Sequence, residues 1–204
     1  VNQPLPPTVY LVRHASPDRT TGIRYDVPPG PPILPKGEDE ARRIGAFLRE
    51  AGVRKMYVSP MQRTQQTAEI AARAAGEITA TMEESIIEWT RGETAETVLE
   101  RMRSFWQRAG EESQQVGPIA LISHGGPIRT LVEHLGLHPD ELEHYRKQFD
   151  YGNPMPPGGI WLTTRSAPDA EWHVELVFTP EPYTPFTVDG GQPADVKTPD
   201  HPIL

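Results

Sequence analysis

Two arginines, two histidines and a carboxylate stand at points from which they could do chemistry together. Arg13 and His14 end the apolar run Val9-Tyr10-Leu11-Val12, and Ala15-Ser16-Pro17-Asp18 cannot continue it as a strand. His124 ends a second apolar run, Pro118–Ser123, and is followed by Gly125-Gly126-Pro127. Arg63 follows Ser59-Pro60-Met61-Gln62, and Glu88 lies between Ile87 and Trp89. Two guanidinium groups with two imidazoles make a pocket of positive potential suited to a phosphoryl dianion. A histidine with one free ring nitrogen can attack phosphorus and hold it covalently. A carboxylic acid among apolar neighbours, which favour its protonated form on burial, can protonate the leaving oxygen and then activate water. Such chemistry needs neither a metal nor a thiol.

The elements that must position these groups are legible from periodicity. Residues 8–13 read as a buried parallel strand, with Arg13 and His14 at its carboxyl end, where open α/β sheets bind ligands. From Lys36 to Ala51, Ala41, Ile44, Gly45 and Leu48 recur at helical spacing, and Gly52 stops the helix. Met56–Val58 is a second strand. Ser59 and Gln62 have capping-box spacing with Pro60 at the first helical position, so Arg63 falls in the opening turn of a helix that runs to about Ala75. A third strand spans residues 77–82, and a helix from about Thr94 to Gln115 carries Val98, Met102, Phe105 and Trp106 as a core stripe. The strand ending in His124 repeats the plan of the first. Its glycines let backbone N–H groups approach a ligand, and a helix continues to about Leu135. Residues 160–164 and 172–178 alternate as a hairpin at a sheet edge.

Other stretches carry less. His134, His138 and His144 read as exposed helix-end histidines, not a metal set, because Gly136 and Pro139 break the register between them. The loop at residues 15–35, with Pro28, Pro29, Pro31, Pro32 and Pro35, is long enough to be functional. Arg19, Arg24, Tyr25 and Arg91 stand where a second anionic group or a ring could be met. Specificity is expected from residues 16–35, from Trp89-Thr90-Arg91 and from Phe149–Pro157.

With 204 residues, the chain is expected to form one catalytic domain over 1–178. A Pro/Gly-rich tail follows over 179–204, expected to pack on the body or on the second copy of a homodimer. Its 20 Lys and Arg against 28 Asp and Glu give a net charge of -8, which disfavours nonspecific binding to nucleic acid or to an anionic membrane. An anion must therefore be met by a locally focused pocket. No stretch approaches the ~18 apolar residues of a membrane-spanning helix. The absence of cysteine excludes disulfides, thiolate metal sites and cysteine nucleophiles, and fits a reducing compartment. Val1-Asn2-Gln3-Pro4 lacks the basic and apolar regions of a signal peptide, so the expected location is cytoplasmic.

Five blocks in order resemble the histidine phosphatase (phosphoglycerate-mutase-like) superfamily. They are Leu11-Val12-Arg13-His14-Ala15; Ile33-Leu34-Pro35-Lys36-Gly37 with Glu40-Ala41; Ser59 to Ala68; Ile86-Ile87-Glu88 with Gly92-Glu93; and Ile122 to Arg129. The resemblance implies a three-layer α/β/α sandwich with a mostly parallel central sheet. It implies that His14 is the phosphorylated nucleophile, that Arg13, Arg63 and His124 bind the phosphoryl group, and that Glu88 is the acid/base, with Glu83 and Glu84 as second choices. Gly125 joins the phosphate-binding set. Ala15 replaces the family's usual Gly, and Thr20 stands where many members carry a phosphate-binding Asn. Ser16, Thr20 or Thr21 is then the expected hydroxyl in its place. No cofactor and no metal are implied, and the expected partner is a small phosphorylated metabolite. The expected activity is a metal-independent phosphatase. Alternatives are a phosphoglycerate mutase, a protein-phosphohistidine phosphatase, or an inactive phosphate-binding regulatory module. Only 35 residues separate Glu88 from His124, which leaves little room for the long substrate-enclosing insertion of the mutases.

Overall fold

The computed structural model describes residues 5–149, 152–167 and 169–187. The chain alternates strand and helix: β1 (Thr8–Arg13), α1 (Pro35–Glu50), β2 (Lys55–Val58), α2 (Gln62–Ala74), β3 (Thr79–Met82), a single 3-10 turn (Glu84–Ile86), α3 (Ala95–Val116), β4 (Ile119–Ser123), α4 (Gly125–His134), α5 (Pro139–Gln148), β5 (Ile160–Thr164) and β6 (His173–Phe178). Alternation of this kind places helices on both faces of a sheet. The strands join in the order β3-β2-β4-β1-β5-β6. The first four run parallel, β5 is antiparallel to β1, and β6 is antiparallel to β5.

Side chains leave a strand on alternate faces, so each central strand feeds two cores. Val9, Leu11, Ile119 and Leu121 point to one face, where Met102, Phe105 and Trp106 of α3, Ile128 and Leu131 of α4, and Tyr145 of α5 close over them. Val12, Ala120 and Ile122 point to the other, against Ile44 and Leu48 of α1 and Ala68 and Ala71 of α2. Complete burial of each Leu or Ile contributes about 1.5–3 kcal/mol. This double cladding fixes the centre of the sheet and leaves β3 as an exposed edge.

Register sets up the site. β1 and β4 pair so that Arg13 faces Ser123, and the His14 N–H donates to the Ser123 carbonyl at 3.0 Å. His14 and His124 therefore leave neighbouring strands at one level. Ser59, whose N–H donates to the Ile122 carbonyl at 3.0 Å, leaves β2 beside them.

The expected three-layer architecture is present, with three differences in detail. The hairpin β5–β6 lies at one side of the sheet, yet β5 is internal because it pairs with β1. Gly136 and Pro139 end one helix and open another: His138 caps α5, its Nδ1 accepting the Asp140 N–H at 3.2 Å. The expected capping box at α2 does not form. Met61 is the N-cap without a side-chain cap, Pro60 precedes the helix, and the Ser59 hydroxyl is used elsewhere. Thr64 instead ties this turn, donating within 3.5 Å to the carbonyls of Ser59 (2.8 Å) and Met61 (2.6 Å).

Of the expected tail, residues 179–187 lie against the body; the rest falls outside the described residues. The Tyr183 hydroxyl donates to the Leu176 carbonyl, the Thr184 N–H to Gln148, and the Phe186 N–H to the Tyr145 hydroxyl. No helix among the described residues is long and apolar enough to cross a membrane.

Candidate active site

His14 is fully buried at the carboxyl end of β1. Its Nδ1 lies 2.7 Å from the Ala15 carbonyl, which can only accept, so Nδ1 carries the proton and Nε2 keeps its lone pair. Burial first, then the charges of Arg63 and Arg13, hold this imidazole well below its ordinary value near 6.5, which keeps it neutral. The Ala15 N–H donates to the Thr67 hydroxyl at 3.0 Å, and Thr67 donates to the Arg63 carbonyl, so α2 braces the residue that orients the ring.

His124 caps the amino terminus of α4 and is equally buried. Arg63 Nη2 lies 3.1 Å from its Nδ1. A guanidinium can only donate, so Nδ1 accepts and Nε2 carries the proton, which goes to the Ser59 hydroxyl at 2.7 Å. Burial and then Arg63 push His124 well below its ordinary value as well. The two rings sit with centroids 5.3 Å apart.

Arg63 reaches across the site from the first turn of α2 and is 0% exposed. Its Nη2 also donates to Glu88 Oε2 at 3.1 Å, and its Nη1 to the Tyr25 carbonyl at 3.1 Å. Its buried Nε has no hydrogen-bond partner. Gly30 is required here: with φ +71 it adopts a left-handed conformation, and a Cβ would stand 2.7 Å from Arg63 Nη1. The α2 amino terminus itself is closed, since the Gln62 N–H donates to the Pro29 carbonyl at 2.7 Å. This end of α2 anchors the 15–35 loop, and the arginine side chain faces the site.

Glu88 is 8% exposed, with Oε1 accepting the Trp89 N–H at 2.9 Å and Oε2 accepting from Arg63. What aims it is Arg101 of α3. That guanidinium donates to the carbonyls of Ser85, Ile87 and Glu88 and to both oxygens of Glu93. The Arg101 bonds hold the Glu93 carboxyl down at about 2. A second tie runs from the Ser123 hydroxyl to the Ile86 carbonyl at 2.7 Å. One oxygen or ring nitrogen from each of His14, Glu88 and His124 lies within 4.8 Å of the others. Such a set could bind a cation, but two of its donors, Glu88 Oε2 and His124 Nδ1, already accept from Arg63. A metal would have to displace a buried positive charge, so the donor set does not fit one.

The sequence-predicted residues are brought together with few exceptions. Arg13 is buried beside the cluster and donates Nη1 to the Met155 carbonyl at 2.8 Å. Gly125 opens α4 and lines the same cavity, about 290 Å³, with Arg13, Glu88, Trp89 and Gly126. Thr20 stands apart: it is exposed, and its N–H and hydroxyl both bond Asp18 Oδ1. The Ser16 hydroxyl goes to Glu40 and that of Thr21 to the Asp18 carbonyl. Glu83 accepts from the Ser85 N–H, outside the cavity lining. Arg24 is exposed and paired with Asp26, while Arg19 stacks on Tyr25. His134, His138 and His144 form no metal cluster with one another.

Tyr25 takes a larger part than its position in a proline-rich loop suggests. Its hydroxyl lies 2.9 Å from His14 Nε2 and donates to that lone pair. Its ring lies between the guanidinium groups of Arg19 at 4.2 Å and Arg63 at 3.8 Å. Arg101 carries no motif that marks it, and the spacing marks Ser59 only as a helix cap. Arg101 meets the Glu88 carbonyl 13 positions away and Ser59 meets His124 65 positions away.

The family model for the histidine phosphatase superfamily (branch 1) matches residues 9–95 and 86–151. The chain belongs to that superfamily. Among curated relatives, a protein named probable phosphoglycerate mutase GpmB from Enterobacter sp. (strain 638) is 38% identical over 68 residues, 33% of this chain. The match spans only 32% of that relative's length. Solved superfamily folds are similar over most of the chain. Phosphoglycerate mutase from Bacillus anthracis str. Sterne aligns with TM-score 0.63 and 15% identity, covering 86% of this chain and 94% of that one. A mycobacterial glucosyl-3-phosphoglycerate phosphatase aligns with TM-score 0.62 and 15% identity, covering 82% and 97%.

Proposed function

We propose that this superfamily member hydrolyses a small phosphomonoester through a phosphohistidine on His14. One observation carries the reading. The proton of His14 is pinned on Nδ1 by the Ala15 carbonyl, so its Nε2 lone pair is turned to the hydroxyl of Tyr25, which lines a cavity with Arg13, Glu88 and Gly125.

The steps follow from the donor and acceptor inventory. Arg13, Arg63 and the N–H groups opening α4 bind the phosphoryl oxygens and stabilise the charge they carry in the transition state. His14 Nε2 forms a bond to phosphorus as the bond to the ester oxygen breaks. Glu88, as general acid, gives a proton to that oxygen and the alcohol leaves. The Glu88 carboxylate then takes a proton from water, whose oxygen attacks phosphorus and releases His14 and inorganic phosphate. His124, its Nδ1 accepting from Arg63 and its Nε2 proton on Ser59, holds that guanidinium beside the phosphoryl group.

A mutase uses the same phosphohistidine but returns the phosphoryl group to a second substrate instead of water. The GpmB match favours that reading. Against it, α3 occupies 22 of the 35 residues between Glu88 and His124, which leaves no inserted segment to exclude water. The test is turnover on a panel of phosphomonoesters with and without a chelator, alongside interconversion of phosphoglycerates primed by a bisphosphate. Chelator-insensitive phosphate release, abolished in His14→Ala, is expected. Wild-type turnover in that variant rejects the mechanism, and primed interconversion faster than phosphate release selects the mutase.

A further inference from the structure

We propose that Asn153 is a phosphoryl-contacting residue of this site, its carboxamide donating to a phosphoryl oxygen beside Arg13. The inference rests on the phosphoryl-transfer reading above and adds a contact from a segment beyond the 9–151 region of the family match.

Placement comes first. Residues 152–159 follow α5 and are laced to the catalytic strand. The Arg13 N–H donates to the Gly159 carbonyl at 3.0 Å, and the Gly158 N–H reaches the carbonyls of Arg13 and His14 at 3.2 and 3.1 Å. Arg13 Nη1 donates to the Met155 carbonyl at 2.8 Å. The residue two positions earlier, Asn153, is thereby held in the wall of the cavity with Arg13, Glu88 and Gly125.

The wall is shaped around this side chain. A Cβ on Gly125 would stand 2.5 Å from Asn153 Oδ1, 2.9 Å from its Cγ and 3.2 Å from Arg13 Nε. The carboxamide and the Arg13 guanidinium thus converge on one glycine at the amino terminus of α4, and only glycine admits both. The oxygen edge is the one against Gly125, which leaves the NH₂ edge as the donor. That carboxamide makes no hydrogen bond to any described residue, although it stands in a wall where neighbouring polar groups are tied.

Charge and supply of donors favour the same assignment. Hydroxyls near the nucleophile are committed: Ser16 to Glu40, Thr20 to Asp18, Thr21 to the Asp18 carbonyl. A phosphoryl group spreads its charge over three oxygens and takes several donors at once. A neutral amide adds one without changing the net charge of the pocket.

The probe is inorganic phosphate, titrated calorimetrically into the full chain as wild type, Asn153→Ala and Asn153→Asp, with steady-state turnover and the melting temperature of the unliganded protein measured for each. The expectation is about tenfold weaker phosphate binding in Asn153→Ala. A larger loss is expected in the isosteric Asn153→Asp, whose carboxylate repels the dianion, with unliganded melting temperatures close to wild type. Phosphate affinity within about twofold of wild type in both variants overturns the assignment while leaving the phosphohistidine mechanism intact. A wild-type chain that neither binds phosphate nor turns over removes that mechanism, and this assignment with it.

Discussion

Glu88 is held by three donors of different origin, and the consequence is a precise expectation for its amide. Its side chain accepts from Trp89 N–H and Arg63, and its own carbonyl accepts from Arg101. Glu88→Gln keeps the size and an acceptor but carries no transferable proton. Turnover of alkyl phosphates is expected to fall about 10²–10⁴-fold. The phosphorylation step with p-nitrophenyl phosphate should suffer far less, because its phenolate leaves without a proton. Single-turnover rates on both esters measure this, and equal losses would assign Glu88 an electrostatic part only. The residues that do the proposed chemistry were legible in the sequence because each sits at a motif: a strand end, a helix start, or an acid among apolar neighbours. The residues that orient them were not. Ser59 was legible as a helix cap by spacing, yet its hydroxyl meets a buried imidazole 65 positions away. A pattern of local spacing has no means of registering that competition. Thr20 lies near His14 in sequence, but Asp18, two positions away, captures its hydroxyl.

The 15–35 loop is the element on which access to His14, the proposed nucleophile, depends. Its ends are tied by the Pro17–Ile33 bridge, and the Ile33 and Gln62 N–H groups bind it to α2 through Gln66 and Pro29. These ties place Tyr25 on His14: in the proposed reaction phosphorus arrives where its hydroxyl now donates. That hydrogen bond, of about 0.5–1.5 kcal/mol, competes with the ligand. Tyr25→Phe is therefore expected to bind inorganic phosphate several-fold more tightly, read from competitive inhibition constants. Weaker binding would instead make the hydroxyl a ligand of the bound state. Proline density marked this loop as constrained, but composition does not say where a constrained loop leads. α5 was missed for a related reason. Gly136 and Pro139 are sound helix breakers, and here they separate two helices instead of ending one.

At the scale of the molecule, the sheet buries two neutral histidines side by side, and this couples stability to pH. Both are held well below the ordinary value near 6.5, chiefly by burial and next by Arg63. As pH falls below about 6.5, the unfolded chain takes up protons on these two groups that the native state does not. Stability is thus fully present above that pH and is lost as pH falls toward the native values, by at most about 1.4 kcal/mol per pH unit for each histidine. Melting temperatures between pH 7.5 and 5.5 should fall more steeply in the wild type than in His124→Gln. Equal slopes would mean that the ring is not held neutral. The central parallel strands were the most legible part of the fold, since continuous apolar runs bounded by breakers leave few alternatives. Which surface receives residues 179–187 was not legible, because Tyr183 and Phe186 pack against a cluster that only the folded body assembles. A covalent phosphohistidine on His14 is trapped by rapid quenching with a labelled phosphomonoester followed by peptide mapping. Acid-labile, base-stable label is expected on the peptide carrying His14 in the wild type and none in His14→Ala. Turnover with no trapped phosphoenzyme in Glu88→Gln, where its breakdown by water is slowed, or label on another residue, would contradict it.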